Sequence, residues 1–222
     1  MDYQLIVFDW DGTLMDSTAH ITHCMHRAIS TLSLEPLSDT QVSHIIGLGL
    51  HEAVQTLYPD ADAATWTALA DCYRQTWVNT PESTPLFAHA EALLSRLNEQ
   101  NILLGVATGK SRRGLDKALQ QTGLGDLFIS TRCADECYSK PHPQMLMELI
   151  DYAGVASDQT LMIGDTEFDL MMAHNAGADS LGITHGAHPE LTLKAANPKA
   201  IDHALNQVKK WLARPDTEFC NE

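Results

Sequence analysis

Leu5-Ile6-Val7-Phe8-Asp9-Trp10-Asp11-Gly12-Thr13-Leu14 decides the fold. Four apolar residues, enough for a buried strand, run straight into two carboxylates and a glycine. A buried carboxylate without a partner is costly, and is normally met by a proton, an opposite charge or a metal. Two at one strand exit therefore point to a cation. Gly12 lets the chain turn sharply, and the period-2 geometry of a strand sends Asp9 and Asp11 to the same side. A calcium loop also begins Asp-x-Asp-Gly, but needs further oxygen ligands and a closing Glu within a dozen residues. Thr13, Met15, Ser17 and His20 follow here, so that loop would lack ligands.

Working outward, three more short apolar runs read as buried parallel strands: Ile102 to Ala107, Leu161 to Gly164, and Ser180 to Ile183. Leu127-Phe128-Ile129-Ser130 is a weaker fifth. Between them, helical spacing covers 87–100, 111–122, 142–154 and 166–176, with Gly123, Gly125, Gly154 and Gly177 where such helices should stop. The alternation predicts an α/β fold: a Rossmann-like parallel sheet core with helices on both faces.

Residues 17–83 break the rhythm. They hold no strand run, but do hold helix-like stretches near 18–32, 39–46, 50–57 and 63–79, separated by Pro36, Gly47, Gly49 and Pro59. The expected organisation is a core of 1–16 and 84–222 with a helical cap domain of 17–83 inserted in it. Pro81-Glu82-Ser83-Thr84-Pro85 would be the hinge by which the insert rejoins the core, and an insert beside a site is placed to be a lid. The tail from Arg214 to Glu222 reads as frayed.

Composition narrows the partners. The 222 residues are 44% hydrophobic and 19% charged, ordinary for a folded globular chain. Asp plus Glu number 29 against 14 Lys plus Arg, a net charge of −15, and no basic block interrupts the acidity. Nucleic acid is therefore not an expected partner. An anionic ligand would need a few local cations or a metal to override the field. No apolar run approaches the ~20 residues that span a bilayer, and Met1-Asp2-Tyr3-Gln4 lacks a basic signal start; no membrane association and a cytoplasmic location are expected. Cys24, Cys72, Cys133, Cys137 and Cys220 include no Cys-x-x-Cys pair and read as reduced thiols. Cys133 and Cys137 would approach each other only in a helix. His20, His23 and His26, or His185 with His188, lack a convincing further metal ligand and read as packing or solvated residues.

In an open parallel sheet, ligands sit at the carboxyl ends of the strands. The residues at those exits are chemically coherent: Asp9 and Asp11, then Thr108-Gly109-Lys110, then Gly164-Asp165-Thr166-Glu167-Phe168-Asp169, with Lys140-Pro141 before a helical segment. Taken singly, Asp165 and Asp169 could be helix N-terminal acids, Thr108 a turn residue and Lys140 a surface charge. Together and in this order they resemble the four motifs of the haloacid dehalogenase superfamily, in its phosphatase branch with a small helical cap.

The resemblance implies that Asp9 is a nucleophile that forms an aspartyl-phosphate, a role an ionised carboxylate fills without an activating base. It implies that Asp11 is the general acid and base, and that Mg2+ is held by Asp9, the backbone carbonyl of Asp11 and Asp165. Thr108, Gly109 and Lys140 would bind the transferring phosphoryl group. Asp169 would stand behind them, orienting Lys140 or a metal-bound water, although some relatives use this position as a ligand. Lys110 reads at least as well as a surface residue at a helix start, and is not assigned a role.

Within that branch, Asp11 disfavours phosphonate hydrolysis. Thr13, and the lack of an arginine in Gly47-Leu48-Gly49-Leu50-His51-Glu52, disfavour a sugar phosphomutase of the β-phosphoglucomutase kind. The cap loop resembles that of phosphoglycolate phosphatases; His51 is either a substrate contact or an exposed helix-start residue. The expectation is a magnesium-dependent phosphatase of a small phosphorylated metabolite, phosphoglycolate first, acting as monomer or homodimer. A mutase and a catalytically quiet phosphometabolite sensor are the alternatives.

Overall fold

The computed structural model describes residues 3–80 and 84–208. Its centre is β1 (Leu5–Phe8), whose side chains alternate between two cores. Leu5 and Val7 pack with Met145, Leu146 and Leu149 of α7 (Gln144–Ala153) and with Met172 and Ala173 of α8 (Glu167–Asn175). Ile6 and Phe8 face the other way, onto Leu93, Leu94 and Leu97 of α5 (Ala90–Glu99) and Leu115 of α6 (Arg112–Thr122). A strand apolar at every position is thus covered by helices on both faces, each fully buried side chain contributing roughly 2 kcal/mol.

Four of the other strands are β2 (Leu103–Thr108), β3 (Ser130–Cys133), β4 (Thr160–Gly164) and β5 (Asp179–Ile183), and the sixth is β6 (Ala200–Asp202). The order is β3-β2-β1-β4-β5-β6, all parallel. The order reverses between β1 and β4, where Leu5 pairs with Leu103 on one side and Thr160 on the other. A crevice opens at such a reversal, beyond the carboxyl ends of both strands. Asp9 and Asp165 lie there.

The strand from the 127–130 run differs from expectation. Leu127 and Phe128 lie in or just after a short 3-10 turn and pack against the core, Phe128 edge-on to Trp10, so pairing starts at Ser130. The chain is extended, not helical, up to Cys133, so Cys133 and Cys137 are not brought together in a helix. The short β6 and α9 (Glu190–Ala195) lie at the far sheet edge, and neither was expected.

Between β1 and α5 the chain forms α1 (Thr18–Thr31), α2 (Asp39–His44), α3 (Leu50–Leu57) and α4 (Ala63–Asn79). These helices bury a hydrophobic cluster of their own, from Met25 and Ile29 through Val42 and Val54 to Leu69. Helix starts are marked by side-chain caps: Ser38 and Gln41 reciprocally at α2, and Asp62 accepting from the Thr65 N–H at α4. Of the expected hinge Pro81-Glu82-Ser83-Thr84-Pro85, the first three residues lie outside the described residues, as does the tail from Arg214, while the Pro85 carbonyl accepts from the Asp16 N–H at 2.9 Å.

Candidate active site

Asp9 directly follows β1, its N–H donating to the Ile163 carbonyl at 2.9 Å and so extending the ladder by one residue. Its carboxylate is 1% exposed. Lys140 Nζ, from the loop before α7, lies 2.8 Å from Asp9 Oδ1 and 2.6 Å from Asp169 Oδ1. The contact to Asp9 is a charge contact without hydrogen-bond alignment: neither Asp9 oxygen receives a hydrogen bond among the described residues. Burial pushes the Asp9 carboxyl well up, opposed by Lys140 and reinforced by Asp169 and Asp165. For Lys140, burial alone would lower the pKa, but Asp169 and Asp9 outweigh it and hold the ammonium charged.

Asp169 is fully committed. Its Oδ2 accepts from the Thr166 N–H at 3.1 Å and the Thr166 hydroxyl at 2.7 Å, closing the reciprocal cap of α8, while Oδ1 faces Lys140. Sequence alone left it as a helix-start acid, a group that orients Lys140 or a metal-bound water, or a ligand; the side chain both caps α8 and contacts Lys140.

Asp165 sits at the end of β4 with its oxygens gripped from two sides. The Thr13 hydroxyl donates to Oδ1 at 2.6 Å and the Ala187 N–H to Oδ2 at 2.7 Å. Glycines at 12 and 186 make room, since a Cβ there would come within 2.2 and 2.0 Å of Asp165 Oδ2. Gly12 also has φ +83°, a conformation that suits glycine. Burial, then the Asp169 charge, raises Asp165 to about 7 despite the lowering hydrogen bond from Thr13.

One oxygen from each of Asp9, Asp165 and Asp169 falls within a 4.8 Å span. These residues fit a hard divalent cation: the donors are all oxygens, and neither buried Asp9 oxygen has an aligned hydrogen bond, Oδ1 having only the charge contact with Lys140. A cation there would relieve the burial that now raises Asp9 and Asp165.

Asp11 looks elsewhere. Its Oδ1 accepts from the Ser17 hydroxyl, and Lys110 Nζ bridges both oxygens at 2.8 and 2.9 Å. Lys110, passed over in the sequence, thus meets one of the two motif acids across 99 residues of chain. Its signal was position: it shares the β2 exit with Thr108, whose buried hydroxyl accepts from the Lys110 N–H at 3.2 Å. Thr13 was read as part of the motif and as a residue that disfavours a mutase, and its hydroxyl's hold on Asp165 is a further contact that the sequence did not reveal.

The helical insertion closes over this exit. A Cβ on Gly109 would lie 2.5 Å from the Leu48 carbonyl, and the Gly49 N–H donates to Ser139 Oγ at 2.8 Å. His188 receives the Glu167 N–H on Nδ1 at 3.1 Å, so its Nε2–H donates to the His44 carbonyl at 3.0 Å while the two imidazoles stack. His44, Glu167 and His188 lie close enough for a metal, but both His188 nitrogens are engaged as a latch between insertion and core. His51 is exposed and bonds Gln55. His20 packs at a tilt of 53° against Trp77.

Comparison with known proteins agrees with this geometry. The model of the haloacid dehalogenase-like hydrolase family matches residues 6–183. A protein of Dickeya dadantii described as "Probable phosphatase IndB" is 33% identical over 210 residues, covering 92% of this chain and 91% of that one. The phosphoglycolate phosphatase of Vibrio parahaemolyticus is 26% identical over 224 residues, covering 96% and 97%. A hydrolase structure from Pseudomonas syringae superposes with a TM-score of 0.86 at 21% identity, covering 94% and 97%, which speaks to the fold. The chain belongs to the haloacid dehalogenase-like hydrolase family. Within it, the chain is an enzyme of the phosphatase kind. No helix among the described residues is long and apolar enough to cross a membrane.

Proposed function

We propose that this enzyme is a magnesium-dependent phosphatase acting on a small metabolite phosphomonoester, phosphoglycolate first, through a covalent phosphoenzyme on Asp9. One observation carries the reading: Asp9 is buried beside Lys140, whose ammonium makes a charge contact with Oδ1 but no aligned hydrogen bond to either oxygen, the condition of a carboxylate with room for another partner. One oxygen of Asp9 attacks phosphorus, and the bond from phosphorus to the ester oxygen breaks. Asp11 gives that oxygen its proton, then takes one from the water that opens the aspartyl-phosphate. Thr108 Oγ1 and the Gly109 N–H hold phosphoryl oxygens, and Lys140 balances the charge on them and on Asp9.

Asp9, the Asp11 carbonyl and Asp165 would hold the magnesium ion, which offsets the repulsion between a carboxylate nucleophile and a phosphate dianion. Asp169 keeps Lys140 in place. Helices α1–α4 act as the cap, residues 17–83 closing over a core of 1–16 and 84–222. The phosphoglycolate phosphatases among the relatives support the substrate guess.

Phosphate release by purified protein, with and without Mg2+, across phosphoglycolate, sugar phosphates, nucleoside monophosphates and pyrophosphate tests the reading. A magnesium-dependent preference within the panel is expected. Isomerised hexose phosphate with little release would replace it by the mutase, and binding without turnover by the sensor.

A further inference from the structure

We propose that Lys110 is the binding residue for an anionic group, a carboxylate, on the alcohol half of the substrate, and that it passes to Asp11 when that group is absent. The inference rests on the phosphatase reading above and deepens it, because it assigns the feature that selects among phosphomonoesters. Lys110 leaves the core at the β2 exit, yet its ammonium lies 5.0 Å from the ring of Trp77 in α4. Trp77 in turn packs on His20 of α1 and beside Tyr73 of α4. The cation is thus held between Asp11 and an aromatic wall supplied by the insertion. Asp11 must reach the ester oxygen to protonate it, so the alcohol half lies on this side of the site.

The charges leave Lys110 as the candidate. Among the described residues only Lys140 and Lys110 form ion pairs with Asp9, Asp11, Asp165 or Asp169, and Lys140 is already shared by Asp9 and Asp169. Arg112 is held by Glu136, Asp116 and Thr131, and Arg132 by Glu148. His51 points to Gln55. In a chain of net charge −15, a second anion on the ligand needs its own local cation. The Lys110 side chain is 12% exposed, so its charge is only weakly screened. Its two contacts with Asp11, at 2.8 and 2.9 Å, show that a carboxylate can be seated against this ammonium on the Asp11 side of the site. When a substrate carboxylate takes the ammonium, the Asp11 oxygens are released toward the ester oxygen.

The test compares phosphoglycolate with 2-hydroxyethyl phosphate, which keeps the size and the phosphate but removes the carboxylate charge, using wild type, Lys110→Met and Lys110→Arg. Wild type is expected to prefer phosphoglycolate by about 100-fold in kcat/KM, mostly through KM. Lys110→Met should lose most of that preference, falling about 100-fold on phosphoglycolate and under tenfold on the hydroxyethyl ester, while Lys110→Arg retains part of it. Calorimetry supplies a readout apart from turnover: glycolate should bind wild type and Lys110→Arg, and bind Lys110→Met at least tenfold more weakly. Equal losses on both esters would overturn the inference and leave Lys110 serving Asp11 alone. Absence of a charge preference in a wild-type enzyme that does release phosphate would also overturn it, leaving the phosphatase reading standing. Release from no phosphomonoester at all would overturn both.

Discussion

Asp9 and Asp11 stand two residues apart on one strand exit and live in different surroundings. Asp9 is sealed in the core, its carboxyl driven up by burial, next to a lysine shared with Asp169 and with no hydrogen bond to its oxygens. Asp11 lies at the seam between core and insertion, bonded by Ser17 and by Lys110, whose ammonium lies 5.0 Å from the Trp77 ring. Strand β1 ends at Phe8, so the two acids lie in the loop beyond it and their side chains part, Asp9 toward Lys140 before α7 and Asp11 toward Ser17 and Lys110 beside the insertion. On the proposed mechanism, identical side chains are thereby prepared for unlike work, one to react and one to move protons.

The largest effect that would break this contrast is on Asp9. Asp9→Asn should lower steady-state phosphate release by on the order of 10⁴-fold or more, with deamidation back to Asp excluded by mass. Asp11→Asn should cost about 10² to 10³-fold in kcat while leaving Mg2+ affinity within a few-fold, because the carbonyl is kept. If Asp11→Asn removed metal binding and left the rate at saturating Mg2+ untouched, the two acids would have to exchange descriptions.

The pH dependence of metal binding sharpens the buried half. Asp165 is raised from 3.8 to about 7, first by burial. A raised acid holds its proton in the folded protein, so its contribution to stability is present at low pH and is lost as pH rises through about 7. A divalent cation requires the carboxylate and must displace that proton below this range. Mg2+ affinity measured by calorimetry should therefore fall roughly tenfold per unit as pH drops below neutrality, and more steeply if Asp9 releases a proton too. A flat profile would show that burial does not protonate the pair.

Much of this was legible in the chain. The alternation of Leu5, Ile6, Val7 and Phe8 between two helical layers follows from four consecutive apolar residues, and the helix stops at Gly123 and Gly154 follow from left-handed caps. Helices α3 and α4 begin and end where their spacing placed them. Local pattern was less informative at the sheet edges: β3 carries Thr131 and Arg132, only partly buried, and β6 is three residues long, so neither announces itself by hydrophobicity. Contacts far apart in sequence were the other loss. Lys110 on Asp11 and Thr13 on Asp165 are made by ordinary turn residues, and only the meeting of strand exits gives them partners.

The smallest expected effect lies at the seam itself. Ser139→Ala removes the hydrogen bond to the Gly49 N–H. It should weaken closure by about 1 kcal/mol, seen as a few-fold rise in KM with kcat nearly kept. An unchanged KM would mean that the His188 latch alone holds the seam.

The most direct measurement is an acid quench during turnover of a hydrolysed phosphomonoester, followed by mass analysis of the peptides. A phosphoryl group on the peptide carrying Asp9, released by hydroxylamine and absent in Asp9→Asn, is the predicted result. Turnover with the label on another residue, or an Asp9→Asn enzyme that works at the wild-type rate, would contradict the account.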